Sequence, residues 1–447
     1  MDFADPARLD KQVEEAAKAL SRWRRDARVN LEEARDQSPF AGRREVSTRA
    51  GFQEAQKLPA GSPGKEALAR WIACLTVERV TLDDMNEFES ARQAADHVVQ
   101  GLGKEPWSLR DLVLESVQYR EAGRRALAAE PVVRRAGEAS ALALWWLARR
   151  QEAARQLGLN SLAELEAPYE PGLSSERLAV IVLDATEDLA RDVIGRGRTW
   201  NETLALGTAS DALEGWPARL SVRWLQELFG TTELARGLRV DPGTIPPAVN
   251  GASFARALAR FGAALQRGAA KAIAPSFVMS QQPFDAAPAR HGALFSSLLA
   301  SPAFVRRRQG LGAATAPSQV RSFARAFLIS LRVAASRAAI AEQTSEAAAR
   351  QAHALHMSRA LVSSIPAEVT GLVPRYDPRS AAFIAGALLA AGMREQLVSA
   401  FDDDWFDNPH AHDRLRAVDI TSRLLLSEES AVAGVRAAVR FLGEPFR

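Results

Sequence analysis

Cysteine is almost missing: a single thiol, Cys74, in 447 residues excludes an internal disulfide and any metal centre built from several cysteines. It lies in the apolar stretch 71–75, where a packing role is expected. No apolar run approaches the ~20 residues that cross a bilayer, and the opening segment carries acids where a secretory signal carries bases. A cytoplasmic chain without a membrane partner is the expectation. Charge of one sign is scarce too, since 57 Lys+Arg against 54 Asp+Glu leave only +3, which disfavours a nucleic-acid-coated surface. Clusters such as Arg306, Arg307 and Arg308 read as solvated helix ends. There is no Walker loop, no Rossmann glycine fingerprint, no Gly-x-Ser-x-Gly elbow and no fixed-period repeat, so the common nucleotide-binding, nucleophilic-hydrolase and solenoid readings lose support.

What is abundant is helix former. Ala, Leu, Arg and Glu dominate, β-branched runs are short, and apolar residues recur every three or four positions, which predicts an all-α fold. The pattern predicts helices over 5–36, 63–80, 83–101, 107–128, 131–157, 174–195, 217–229, 253–272, 288–309, 317–363, 378–401 and, with a break, 408–442. Ser108 followed by Asp111 supplies N-cap chemistry. Pro and Gly punctuate the chain near 58–64, 168–172, 242–251 and 365–378, and Leu238-Arg239-Val240 is a candidate short strand. The length suggests an N-terminal helical lobe over 1–140 and a second over 141–447, or one continuous domain.

The most informative stretch is 253–265, behind a Pro-rich loop with a cap at Asn250 or Ser253. At 100° per residue Phe254, Ala257, Leu258, Phe261 and Leu265 form a large apolar stripe. Ala255, Ala259, Gly262 and Ala263 form a face of very small residues, and Arg256, Arg260 and Arg267 fall between the two. Small residues let a neighbour approach closely, while the arginines must reach solvent, a carboxylate or a bound anion.

This stretch resembles the active-site helix of the zinc oligopeptidases related to oligopeptidase F, thimet oligopeptidase and angiotensin-converting enzyme, which are gluzincins. The family reads small-Ser-aromatic-x-x-x-Leu-His-Glu-aromatic-Gly-His-Ala-Leu; here the chain reads Gly251-Ala-Ser-Phe254, then Leu258-Ala-Arg-Phe-Gly-Ala-Ala-Leu265. The frame matches except where the chemistry sits: the zinc-binding histidines fall at Ala259 and Ala263, and the general-base glutamate at Arg260. The family's third ligand, a glutamate, precedes a pattern like Ala-Leu-Phe-x-x-Leu-Leu-x-Asp-Pro-Ala-Phe, matched by Ala293-Leu-Phe-Ser-Ser-Leu-Leu-Ala-Ser-Pro-Ala-Phe304, which puts the ligand position at Ala289. The segments 147–165 and 401–409 resemble two further family stretches, and the substrate-facing tyrosine falls at Phe383. The resemblance covers roughly 140–447; the first 140 residues match only in being helical.

In the intact motif two imidazoles at i and i+4 reach one metal and the glutamate takes a proton from zinc-bound water. Alanine has no lone pair to offer, a permanently protonated Arg260 cannot act as a base, and the phenyl ring of Phe383 cannot stabilise an oxyanion. The resemblance therefore implies a saddle-like, two-lobed body with a central cleft and no zinc or other cofactor. The implied protein is a pseudopeptidase that binds a peptide or protein partner, with Arg256, Arg260, His291 and Tyr376 as candidate ligand contacts. The alternative is a helical adaptor or repeat-like scaffold without peptidase ancestry that meets an anionic partner through its arginines. Rival clusters are weaker: His353 and His356, or His410 and His412, lack an adjacent carboxylate to complete a metal site, and Asp402, Asp403 and Asp404 read as a solvated loop.

Overall fold

The computed structural model describes residues 5–28, 30–59, 64–209, 211–212, 221–229, 234–243, 251–274, 276–420 and 423–447. Among these the fold is all-α, with one minor β element, an antiparallel pair of Ala95–His97 with Trp107–Ser108. Local chemistry sets where helices begin. Asp5 caps Pro6–Asp26, and Asn30 accepts from the Glu33 amide to open a second helix, Leu31–Arg35, so the expected 5–36 helix is two. Ser108 and Asp111 form a reciprocal capping box at the head of Leu109–Gln118. Ser345 caps Glu346–Ala352 and splits the expected 317–363 helix after Ala316–Ala341.

Other boundaries moved for identifiable reasons. The helix expected over 83–101 stops at Gln93, and the chain turns through Gly101 and Gly103, both at positive φ. The expected break at 129–130 is absent: Ala122–Gln156 runs straight through Pro131, whose ring is buried. That proline forfeits a bond to the Leu127 carbonyl, on a residue 46% exposed where water can serve instead. Leu238-Arg239-Val240 forms no strand; the Arg239 carbonyl instead closes on Gly268, 2.9 Å from where a Cβ would sit. The cap candidate Asn250 and the start of the expected 217–229 helix lie outside the described residues.

The centre of the molecule is a row of four helices in sequential contact: Gly251–Ile273, Ala286–Ser297, Ser380–Phe401 and Glu428–Gly443. Ala316–Ala341 packs behind this row and against Ser175–Ala185. Glycine permits each crossing. A Cβ on Gly262 would lie 2.5 Å from the His291 carbonyl oxygen, one on Gly292 2.9 Å from that of Ala259, one on Gly386 2.5 Å from the Ala289 Cβ, and one on Gly434 2.5 Å from the Leu388 carbonyl oxygen. The helices touch backbone to backbone, closer than Leu or Val would allow. Against the expectation that no apolar run is long enough, Ser380–Phe401 is by length and composition apolar enough to cross a membrane, because its few polar residues are set in a helix rich in Ala and Leu. Two of these crossings clasp it, and half of its most apolar stretch is buried.

One hydrophobic core runs from Leu9 to Leu442, and the expected lobe boundary at 140 falls inside Ala122–Gln156. Two buried guanidiniums tie the core together. Arg150 bonds Glu78 at 2.9 Å and Glu166, and Tyr376 donates to Glu166 at 3.2 Å. Arg332 donates to the Leu183 and Ala360 carbonyls, both 3.2 Å away, which satisfies helix C-terminal acceptors inside the protein.

Candidate functional site

The central helix Gly251–Ile273 is held by its apolar stripe: Phe254, Ala257, Leu258, Phe261 and Leu265 are all buried. Phe261 stacks on Phe229 at 5.5 Å, and Phe295 meets both rings from the neighbouring helix at 5.0 and 5.8 Å. With that side fixed, the opposite side faces outward. Arg256, Arg260 and Arg267 are exposed there, and Ala259 and Ala263 partly so.

The structure brings the degenerate positions close to two of the helix crossings. Ala259 is in contact with Gly292, one turn from Ala289, and Ala289 is in contact with Gly386, one turn from Phe383. Ala289 and Phe383 are partly exposed. The chemistry of this set does not fit zinc, because Ala259, Ala263 and Ala289 carry methyl groups, Phe383 a phenyl ring, and Arg260 a fixed positive charge. Among the described residues no three His, Cys, Asp or Glu side chains converge as a metal site.

The electrostatics of this face are more distinctive than its donors. Arg267 is accessible to solvent, yet surrounding protein mass and then Arg379 lower its pKa, with only Asp285 opposing. Burial, then Arg260 and Arg28, lower that of Arg256. Arg28 is likewise exposed and lowered by burial, Arg375 and Arg379, with Asp377 and Glu89 opposing. Arg379 differs, since its two-pronged pair with Asp377 at 3.1 and 3.2 Å raises it. Arg28, Arg256 and Arg267 make no ion pair among the described residues. Three segments far apart in sequence thus place arginines within electrostatic reach of one another.

Two of the candidate contacts lie elsewhere. His291 is fully buried, with Nδ1 3.2 Å from the Ala287 carbonyl and Nε2 3.1 Å from that of Leu415, so it braces helices and is not presented to a ligand. Burial and then Arg290 push its pKa down to about 4, leaving it neutral. Tyr376 is a member of the buried Arg150 cluster rather than of the accessible face. There burial pulls Glu78 upward, but Arg150 and Arg24 outweigh it and bring it down to about 2, whereas burial wins at Glu166 and raises it.

The rival clusters disperse. His353 and His356 sit in a π-helical turn, His353–Met357, with His353 Nε2 donating to the Val373 carbonyl at 3.2 Å. His412 is buried on the Phe406 carbonyl at 2.7 Å, and His410 is exposed. Asp404 pairs with Arg307, and Asp407 with Arg308 at 2.8 Å, so the acidic turn and the Arg306–308 cluster answer one another. Sequence reasoning missed Arg28 and Arg379, because nothing local in either segment signals that their charges reach the arginines of the central helix. It also missed a surface cavity of about 440 Å³ lined by Ala126, Val133, Trp200, Arg198, Ser363 and Ser364.

The chain matches no protein-family model. Nor does any curated protein match it.

Proposed function

We propose that this chain is a non-catalytic binding protein of peptidase-like ancestry, which holds a peptide or other anionic ligand against the accessible face of Gly251–Ile273. One observation carries the reading: where a zinc oligopeptidase would present nitrogen and oxygen donors, this face presents Ala259, Ala263 and Ala289 beside the exposed guanidiniums of Arg256 and Arg260. Such a surface cannot polarise a carbonyl through a metal or activate water, but it can hold an anion. The adaptor alternative draws less support, because stacked helix pairs touch only sequence neighbours. Here Ala286–Ser297 meets Ser380–Phe401, and Ser175–Ala185 meets Glu428–Gly443.

The test is metal analysis of natively purified protein alongside a peptide-cleavage assay run with and without a chelator. Expected are substoichiometric zinc and no chelator-sensitive cleavage. One tightly bound zinc per chain, or hydrolysis that a chelator abolishes, would refute the proposal.

A further inference from the structure

The surface cavity of about 440 Å³ includes no residue of the central helix, so what it binds is independent of the reading above. One side comes from the head of Ala122–Gln156. There Ala122, Ala126, Ala129 and Val133 follow at helical offsets of four, seven and eleven, so they lie within about 60° of one another around the helix and run about 16 Å along it. This stripe presents only methyl groups. Two further segments complete the lining: the turn into Trp200–Leu206 brings Arg198 and Trp200, and the chain leaving Ser358–Leu361 brings Ser363 and Ser364. Trp200–Leu206 packs against both Ala122–Gln156 and Ser358–Leu361, and the Asn201 amide ties it to the Ser116 and Arg125 carbonyls, each 3.3 Å away. Val362 turns the chain in the left-handed region at φ 52°, unfavourable for a β-branched side chain, and the two serines follow it into the lining.

Which polar groups here are already engaged decides what the cavity can hold. Glu202 accepts from the Thr199 amide at 2.9 Å and from its hydroxyl at 3.0 Å, and Asn201 Oδ1 accepts from that hydroxyl at 2.7 Å. Glu130 is 76% exposed and stands 3.8 Å from Arg134, so water and a neighbouring cation serve it. The groups left over are mainly donors. Arg198 fixes its Nε on the Ile194 carbonyl at 2.7 Å, while its Nη groups bond to no described residue. Trp200 is 7% exposed, yet its indole N–H bonds to no described residue and is not sealed in the core. The Ser363 and Ser364 hydroxyls are without partners among the described residues as well.

We propose that this cavity binds a small organic carboxylate with an apolar body. Its carboxylate oxygens accept from the Arg198 guanidinium, the Trp200 N–H and the serine hydroxyls, and its body lies on the stripe from Ala122 to Val133. Two donor-only side chains select an acceptor and repel an amine or a metal ion, and a guanidinium fork suits a carboxylate. A mostly apolar hollow with a few convergent polar groups is the usual form of a small-molecule site. At roughly 30 Å³ per non-hydrogen atom the space admits up to about fifteen such atoms. An anion without a tail leaves the methyl stripe wet and gains nothing from it.

The full-length protein can be titrated calorimetrically with octanoate, using octanamide as the uncharged comparator and acetate as the head group without its tail. Octanoate is expected to bind with a Kd of about 1 mM or tighter, and at least tenfold tighter than either comparator. Arg198→Gln should weaken octanoate about tenfold and leave octanamide unchanged. Ala126→Trp, at an exposed position of the stripe, fills the hollow and should weaken octanoate at least tenfold with an unchanged circular dichroism spectrum. Should Arg198→Gln perturb folding, Ala126→Trp decides alone. Equal binding of octanamide overturns the carboxylate specificity, and equal binding of acetate overturns the role of the stripe. Octanoate binding that survives Ala126→Trp places the site elsewhere, and no octanoate binding at about ten times the expected Kd overturns the proposal outright; neither result touches the reading of the central helix.

Discussion

Replacing Gly386 by alanine adds one methyl group at the crossing of Ser380–Phe401 with Ala286–Ser297. That carbon would stand 2.5 Å from both the Cβ and the carbonyl carbon of Ala289 and 2.6 Å from the Arg290 amide nitrogen. Carbon atoms rest about 3.5–4.0 Å apart, so the helices must separate by roughly 1 Å. Two of the three clashing atoms are backbone and have no rotamer to escape into. Overpacking of this kind costs about 1–3 kcal/mol, to which the opened gap adds lost dispersion along the crossing, and the better helix propensity of alanine returns at most about 1 kcal/mol. The expected net loss is about 2 kcal/mol. Gly392, in the same helix, is the control: a Cβ there meets nothing within 4 Å, and Gly392→Ala should gain about 1 kcal/mol. Urea denaturation followed by circular dichroism would read the two shifts in opposite directions. A Gly386→Ala midpoint at or above that of the parent would refute the claim that the helices meet backbone to backbone.

Further outcomes follow from buried and capping groups. Asp10 accepts from the Ser276 hydroxyl at 2.9 Å and from the Phe277 and Val278 amides at 3.0 and 2.8 Å, so Asp10→Ala should cost about 2–3 kcal/mol and speed limited proteolysis within Pro6–Asp26. Arg150→Met leaves buried Glu166 with only the Tyr376 hydroxyl and Glu78 with only Arg24, and should cost about 3–5 kcal/mol, with partial recovery on adding Glu166→Gln, as read by denaturant midpoints. Burial holds both His291 and His353 down to about 4, so the unfolded chain binds protons more readily between about pH 6.5 and 4. Their contribution is intact above pH 6.5 and declines on acidification, by about 1.4 kcal/mol per unit for each ring. Subtracting the pH profile of His291→Gln from that of the parent cancels the carboxylates and isolates one of them; a flat difference would contradict the assignment.

Much of this architecture was legible one residue at a time. The stripe from Phe254 to Leu265 has helical period, and the structure buries it; Ser108 and Asp111 stand at capping-box spacing, and the box forms. Local breaks were harder, because Asn30 and Ser345 serve equally well inside a helix surface or as caps until tertiary contacts choose. Pro131 signalled a start, yet burial of its ring outweighed the lost hydrogen bond. At the candidate site the arginines of the central helix could be read from their spacing, since they share one element. Arg28 and Arg379 could not, because their place depends on how distant segments meet. His291 and Tyr376 were misplaced for the same reason: side-chain type says what a residue can bond, whereas burial decides whether it bonds a ligand or its own protein.

The Arg150 cluster has a consequence for how the chain comes together. Its members are drawn from positions 78, 150, 166 and 376, so the first three leave the ribosome long before Tyr376 is made. Until the tyrosine arrives, the Glu166 oxygen not held by Arg150 must keep water as its partner, and the surrounding interior stays wet. Final drying of the molecule therefore waits for its last quarter, and a chain that stops short would display a hydrated gap that quality-control proteases can recognise.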